Sequence, residues 1–420
     1  MTAETATPTI HARADRRFIR AHDRSRRFVL VDVLAPPAVG VRERSSVNLA
    51  FVIDRSGSMT GEKLDLAKRA VDEAIARLEP RDRFSVVAYD DTVRVVAESS
   101  LASTAAKRSA VARLRELGPG GSTNLSGGWF TGCEQVARFL ETEAVNRALL
   151  LTDGLANVGL IDRDALAGHA AELRSRGVST TTFGVGNDFD EALLQAMSDA
   201  GGGHFYYIAN PAQIRDHIAS EVGETLEVVA RDVELDLVAG DGIQVEAISP
   251  HGVTSRGSRS IVSIGDLVAD QAVEVVLRVT FPYGERGRET GLIVGDGRGG
   301  DVRLTWTYAD DQTNDDQPRD ADVDRAVGRQ FAARARQEAV QLNRDGRFDD
   351  ARRRLAGTAR RIATYADGDG ELQRLVRELQ AEGVTFAAPM PAALLKEAHF
   401  VSANVARSRD ALGRSVRRST

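Results

Sequence analysis

Asn48-Leu49-Ala50-Phe51-Val52-Ile53-Asp54-Arg55-Ser56-Gly57-Ser58 decides how this chain is read. The side chains from Leu49 to Ile53 are all apolar, as in a parallel strand buried on both faces. A carboxylate and two hydroxyls, those of Asp54, Ser56 and Ser58, then sit where the strand ends. In open α/β sheets, ligands bind at the carboxyl ends of the strands. Two more strand-end signals carry oxygen ligands: Gly120-Gly121-Ser122-Thr123-Asn124 and Leu149-Leu150-Leu151-Thr152-Asp153-Gly154. Asp54, Ser56, Ser58, Thr123 and Asp153 are hard oxygen donors of the kind Mg²⁺ prefers. The reading is a metal site for Mg²⁺, with Mn²⁺ or Ca²⁺ as alternative ions.

Outward from this stretch, residues 46–222 alternate short apolar strands with amphipathic helices, the pattern of a doubly wound, mostly parallel α/β sheet. A helix is expected over Lys63–Leu78, where Leu64, Ala67, Val71, Ala74, Ile75 and Leu78 form one stripe. Asp90-Asp91 marks a hairpin, and a helix through Gly132–Glu141 is expected to bury Cys133. Residues 226–308 change character: β runs separated by Gly, Asp or Ser turns, with no helical period, predict an antiparallel β-sandwich. The strand signal at 26–34, within segment 16–45, has no partner in the α/β block and is expected to join that sandwich. The α/β domain would then be an insertion in the β domain. Residues 1–15 read as a mobile leader and 309–322 as an acidic linker. A helical hairpin or bundle follows over 323–384, and 385–420 read as a basic tail carrying Arg407, Arg409, Arg414, Arg417 and Arg418.

Length and composition set bounds. The 420 residues exceed one ordinary core, so two or three domains are expected. With 42% hydrophobic and 28% charged residues, the chain is globular rather than disordered. A net charge of −6 gives no global signal for nucleic acid. Basic residues are overwhelmingly arginine and are scattered, as a GC-rich coding bias would produce. Cys133 is the single cysteine, which excludes an intramolecular disulfide and favours a reducing compartment. Residues 1–25 carry charges throughout without an apolar core, so no secretory signal is expected. No apolar run is long enough to span a membrane. The expected location is the cytoplasm.

Asp-x-Ser-x-Ser, Thr123 and Asp153, in that chain order, resemble the metal-ion-dependent adhesion site of von Willebrand factor type A domains of bacterial type. Leu151-Thr152-Asp153-Gly154, Phe183-Gly184-Val185-Gly186-Asn187-Asp188-Phe189-Asp190 and Gly201-Gly202-Gly203-His204-Phe205-Tyr206 extend the resemblance across residues 46–222. It implies a doubly wound sheet with Mg²⁺ at its top. Ser56, Ser58 and Thr123 would contact the metal directly, and Asp54 and Asp153 would act through water. It also implies a partner, since intracellular relatives often work beside AAA+ ATPases or in multi-protein assemblies.

The chemistry of the set agrees. Three neutral hydroxyls leave the cation's charge uncompensated, so it can accept a carboxylate from another molecule. The expected function is therefore a non-enzymatic, metal-dependent module that captures a partner's Asp or Glu. A surface adhesive protein and a metal-assisted hydrolase are the alternatives; the first is disfavoured by the missing signal, the second by the lack of a general base. Neither Ser56 nor Ser122 lies in Gly-x-Ser-x-Gly. The loop Gly118-Pro119-Gly120-Gly121 lacks a phosphate-loop ending. Asp367-Gly368-Asp369-Gly370-Glu371 fails the EF-hand pattern at Leu372. His204 is read as structural, and simple capping of the following helix by Asp54 and Ser56 would leave Thr123 and Asp153 unexplained.

Overall fold

The computed structural model describes residues 7–38, 44–297 and 300–417. It divides into two compact units, Val39–Arg231 and Met1–Ala38 with Asp232–Thr420. The first unit is built on a six-stranded sheet. Its strand order is Val93–Leu101, Arg83–Tyr89, Val47–Asp54, Val145–Thr152, Ser179–Val185, Gly202–Ile208. All of these run parallel except the edge strand Val93–Leu101. Every residue of Val47–Asp54 and of Val145–Thr152 is buried, which explains the apolar stretches Leu49–Ile53 and Ala148–Leu151 at their centres.

Helices flank this sheet. Glu62–Arg77 buries Leu64, Ala67, Ala70, Val71, Ala74 and Ile75. The spacing places one stripe on the sheet, and each buried Leu, Val or Ile contributes roughly 1.5–3 kcal/mol. The expected helix through Gly132–Glu141 is instead Leu125–Ala137. It begins earlier because the Asn124 side chain accepts the Gly127 N–H at 2.9 Å, capping the first turn. Its glycines lower helix propensity, but they let the backbone lie close on the sheet. A Cβ on Gly128 would stand 2.4 Å from the Tyr89 ring, and one on Gly132 would stand 2.2 Å from Val52 Cγ2. Cys133 is buried in this packing, and burial pushes its thiol up to about 12, which makes it unreactive. Helix Ile214–Leu226 runs past residue 222, the expected end of the domain.

The second unit contains a four-stranded sheet and a six-stranded sheet. Thr9–Ala14, Ser25–Leu34, Ala272–Phe281 and Gln244–Ala247 form the first. Gly252–Arg256, Arg259–Val268, Val228–Ala239, Glu289–Gly295, Val302–Ala309 and Phe18–Arg20 form the second. Among the described pairings only Phe18–Arg20 with Val302–Ala309 is parallel. Ser25–Leu34 pairs along its whole length with Ala272–Phe281, from Ser25↔Phe281 to Leu34↔Ala272. Phe281 of one sheet meets Trp306 of the other with ring centroids 4.9 Å apart. Helix Ala321–Arg344 covers the four-stranded sheet, seating Val323, Ala326, Val327 and Phe331 on Leu30, Ile248 and Val276. Phe348–Ala363, Gly370–Thr385 and Ala392–Ala406 complete the helical segment around Leu355, Leu379 and Leu395.

Three segments depart from expectation. The leader over 1–15 contains strand Thr9–Ala14, which pairs with Ser25–Leu34 in the register Ile10↔Val33; residues 1–6 lie outside the described residues. Its alternation of Thr9, His11 and Arg13 with Ile10 and Ala12 is too weakly apolar to announce a strand. The acidic linker over 309–322 contains a docked helix, Asp311–Asp316, capped by Asp310, whose carboxylate accepts the Thr313 N–H at 2.8 Å. Asp311 and Asp315 pair with Arg20 at 2.7 and 2.5 Å, a partner far away in sequence. The basic tail over 385–420 includes helix Ala392–Ala406, which buries Leu395, Phe400 and Ala403. Beyond it Arg409 donates to the Gly413 carbonyl and Arg414 pairs with Asp410 at 2.7 Å. These cations are therefore spent on local structure; Arg418 lies outside the described residues.

Candidate metal centre

Four of the five sequence-selected residues, Asp54, Ser56, Ser58 and Asp153, lie at the carboxyl ends of the parallel strands Val47–Asp54 and Val145–Thr152 or just after them. Thr123, expected at a strand end, lies instead in the loop between helices Thr104–Arg115 and Leu125–Ala137. Asp54 ends its strand with no exposed surface. One carboxylate oxygen accepts the Ser56 N–H at 2.7 Å and the other accepts the Thr152 hydroxyl at 2.6 Å. Burial raises the Asp54 carboxyl above its ordinary range; these hydrogen bonds oppose that shift, and nearby Asp153 adds to it. The loop after Asp54 turns through Gly57–Met59 and brings two hydroxyls together. Ser56 Oγ and Ser58 Oγ are 3.1 Å apart, and Ser58 Oγ donates to Asp153 Oδ1 at 2.6 Å. Asp153 is also fully buried.

Thr123 arrives from the glycine-rich loop. That loop is fastened to the Asp54–Ser58 loop by backbone bonds, Gly57 N–H to Gly121 O at 2.9 Å and Gly120 N–H to Arg55 O at 2.6 Å. Glycine is needed at 120, because a Cβ there would stand 1.7 Å from Asp90 Oδ2. The Thr123 N–H donates to Asn157 Oδ1 at 2.9 Å, and its carbonyl accepts the Asn157 N–H at 3.2 Å. Gly154 lies between the hydroxyls: a Cβ on it would stand 3.4 Å from Thr123 Oγ1 and 3.5 Å from Ser58 Oγ. Three loops thus converge, with Thr123, Ser58 and Asp153 as neighbours.

The donor set fits a small hard cation. It consists of three hydroxyls and two carboxylates. The Ser56–Ser58 and Ser58–Asp153 separations of 3.1 and 2.6 Å bracket the spacing of about 2.9 Å between adjacent ligands of octahedral Mg²⁺.

Four residues that matter here escape a reading for oxygen ligands alone. Thr152 and Asn157 orient Asp54 and Thr123. Asp90 accepts the Gly121 N–H at 3.3 Å and pairs with Arg55 at 2.8 Å, so it braces both loops. Its place just after strand Arg83–Tyr89 was the available signal, by the same strand-end rule. Lys63, in the first turn of helix Glu62–Arg77, places its ammonium on Asp153 Oδ2 and 3.3 Å from the Ser58 carbonyl.

A second cluster lies toward the opposite end of the sheet. His204, Glu221 and Glu224 offer ligand atoms within 4.8 Å of one another. Glu221, however, already accepts Arg147 at 2.7 Å, Thr181 at 2.8 Å, Tyr206 at 2.9 Å and the His204 ring nitrogen at 3.0 Å. A cation would have to displace a buried guanidinium, so this cluster is structural.

Comparison with known proteins agrees with the fold. A von Willebrand factor type A structure from Catenulispora acidiphila superposes with a TM-score of 0.71 at 20% identity, covering 100% of this chain and 99% of that one. Uncharacterized protein YfbK of Escherichia coli is 32% identical over 214 residues, 50% of this chain and 37% of the relative. Uncharacterized protein sll0103 of Synechocystis is 31% identical over 251 residues, 56% of this chain and 57% of the relative. The chain thus spans about a third to just over half of these curated relatives' lengths. Among the described residues, no helix is long and apolar enough to cross a membrane. Residues 48–220 match the family model of the von Willebrand factor type A domain, generally a protein-interaction module, and this segment of the chain is such a domain.

Proposed function

We propose that the chain is a metal-dependent protein-binding module, whose Ser56, Ser58, Thr123, Asp54 and Asp153 hold Mg²⁺ and present it to an Asp or Glu of a partner. The observation that carries this reading is the convergence of three hydroxyls and two carboxylates from three separate loops at one end of the sheet. When bound, the cation would supply an electrophilic centre for an incoming carboxylate. Ser56, Ser58 and Thr123 contribute oxygens without charge. Asp54 is held by Thr152 and the Ser56 amide, which favours orientation over direct neutralisation. Asp153 is shared between Ser58 and Lys63. An intact adhesion-type site, Mg²⁺ as the ion, a cytoplasmic setting and an AAA+ ATPase-associated assembly all belong to this reading. They are supported by the donor chemistry and by the resemblance of residues 46–222.

Affinity capture from native lysate tests the reading. The wild-type chain is expected to retain a partner in Mg²⁺ and to lose it in EDTA, and Asp54→Ala to lose it in both. Equal capture with and without chelator would refute the proposal.

A further inference from the structure

Among the described residues, Lys63 is the one cation whose side chain is in direct contact with the five-residue set. Its ammonium lies on Asp153 Oδ2, while Ser58 holds Oδ1. Asp153 has no exposed side-chain surface, whereas Lys63 keeps 27% of its own. A second bond from Lys63 to the Ser58 carbonyl, at 3.3 Å, anchors the ammonium to the loop carrying two of the hydroxyls. The other nearby cation, Arg55, is already matched by Asp90 at 2.8 Å. The local charge is therefore that of two carboxylates less one ammonium.

We propose that Lys63 is a built-in counter-ion that turns Asp153 away from direct ligation, setting the site to hold its cation weakly and keep it electrophilic. This rests on the metal reading above and names what regulates it. The affinity of an oxygen site for a divalent cation rises with the negative charge of its ligands. An ammonium on Asp153 cancels one of the two charges and repels the incoming ion. It also gives Asp153 Oδ2 a partner that direct coordination would have to displace. A lysine suits this role as a compact point charge on a flexible stem. The composition sharpens the point: Lys63 is one of four lysines among 55 basic residues, so a coding bias toward arginine did not place it.

Mn²⁺ titration calorimetry on the full chain, paired with thermal melts in EDTA and in Mn²⁺, is the test. Lys63→Met is expected to bind Mn²⁺ about tenfold more tightly than wild type. Its melting temperature should fall in EDTA, where Asp153 loses its counter-charge, and recover in Mn²⁺. A lysine acting only as helix packing would lower both melts equally. Lys63→Gln, which retains a hydrogen bond but no charge, should show the same tighter binding and guards against misfolding of the first variant. Wild-type binding that is measurable but unchanged or weakened in both variants would overturn the inference and leave the metal reading standing. Wild-type binding no stronger than that of Asp54→Ala would remove both.

Discussion

The two ends of the central sheet both bury carboxylates, and they treat them in opposite ways. At one end Glu221 takes four protein donors, including the guanidinium of Arg147. Its charge is answered, its lone pairs are used and its geometry is closed. At the other end only Asp153 touches an ammonium, that of Lys63, while Asp54 accepts the Ser56 amide and the Thr152 hydroxyl. The Ser56 and Ser58 hydroxyls bond each other and these two carboxylates. Buried charge alone therefore does not mark a site; the distinction lies in whether fixed donors already satisfy it. A cluster selected by proximity of His, Asp and Glu finds the saturated end. One selected by hydroxyls and carboxylates in converging loops finds the end proposed to accept an ion.

Four perturbations would break or sharpen this contrast. Glu221→Ala strands a fully buried Arg147 and should cost about 3–5 kcal/mol in chemical denaturation while leaving cation binding intact. Asp54→Ala should do the reverse: Mg²⁺ at about 100 times its Kd would stabilise the wild type by about 2.7 kcal/mol and leave the variant's melt unchanged. Gly120→Ala forces a Cβ against Asp90 and should cost about 1–3 kcal/mol, with weaker cation binding because the Thr123 loop shifts. The smallest effect concerns Asp82, just before strand Arg83–Tyr89. Burial pushes its carboxyl up, but the paired guanidinium of Arg44 at 2.9 and 2.5 Å and the N–H groups of Glu79 and Val47 outweigh it, so the net shift is downward. Its folded pKa thus lies below its unfolded value. The stability it adds is complete above the ordinary carboxylate range and is lost as pH falls through the depressed value. Asp82→Asn should flatten that part of the acid limb in a pH series of denaturation midpoints.

The α/β domain was legible because its central strands are buried on both faces and four of the five selected oxygen donors sit at or just after strand ends, so local pattern and candidate site largely coincide. Thr123 instead sits in a loop between two helices. What stayed hidden depended on distant partners. Thr9–Ala14 reads as a strand only beside Ser25–Leu34. The helix Asp311–Asp316 reads as a linker until Arg20 is brought to it. The helix starting at Leu125 defied propensity because Gly128 and Gly132 are demanded by Tyr89 and Val52, contacts no local window contains. Among the site residues, the oxygen donors were readable from chemistry, but Asn157 and Lys63 act through geometry and gave no such signal.

The most direct test of the central claim is an anomalous difference map from a crystal soaked in Mn²⁺. The account predicts one strong peak bounded by Ser56 Oγ, Ser58 Oγ and Thr123 Oγ1, with Asp54 and Asp153 behind it. A map with no peak there, or with its peak among His204, Glu221 and Glu224, would contradict it.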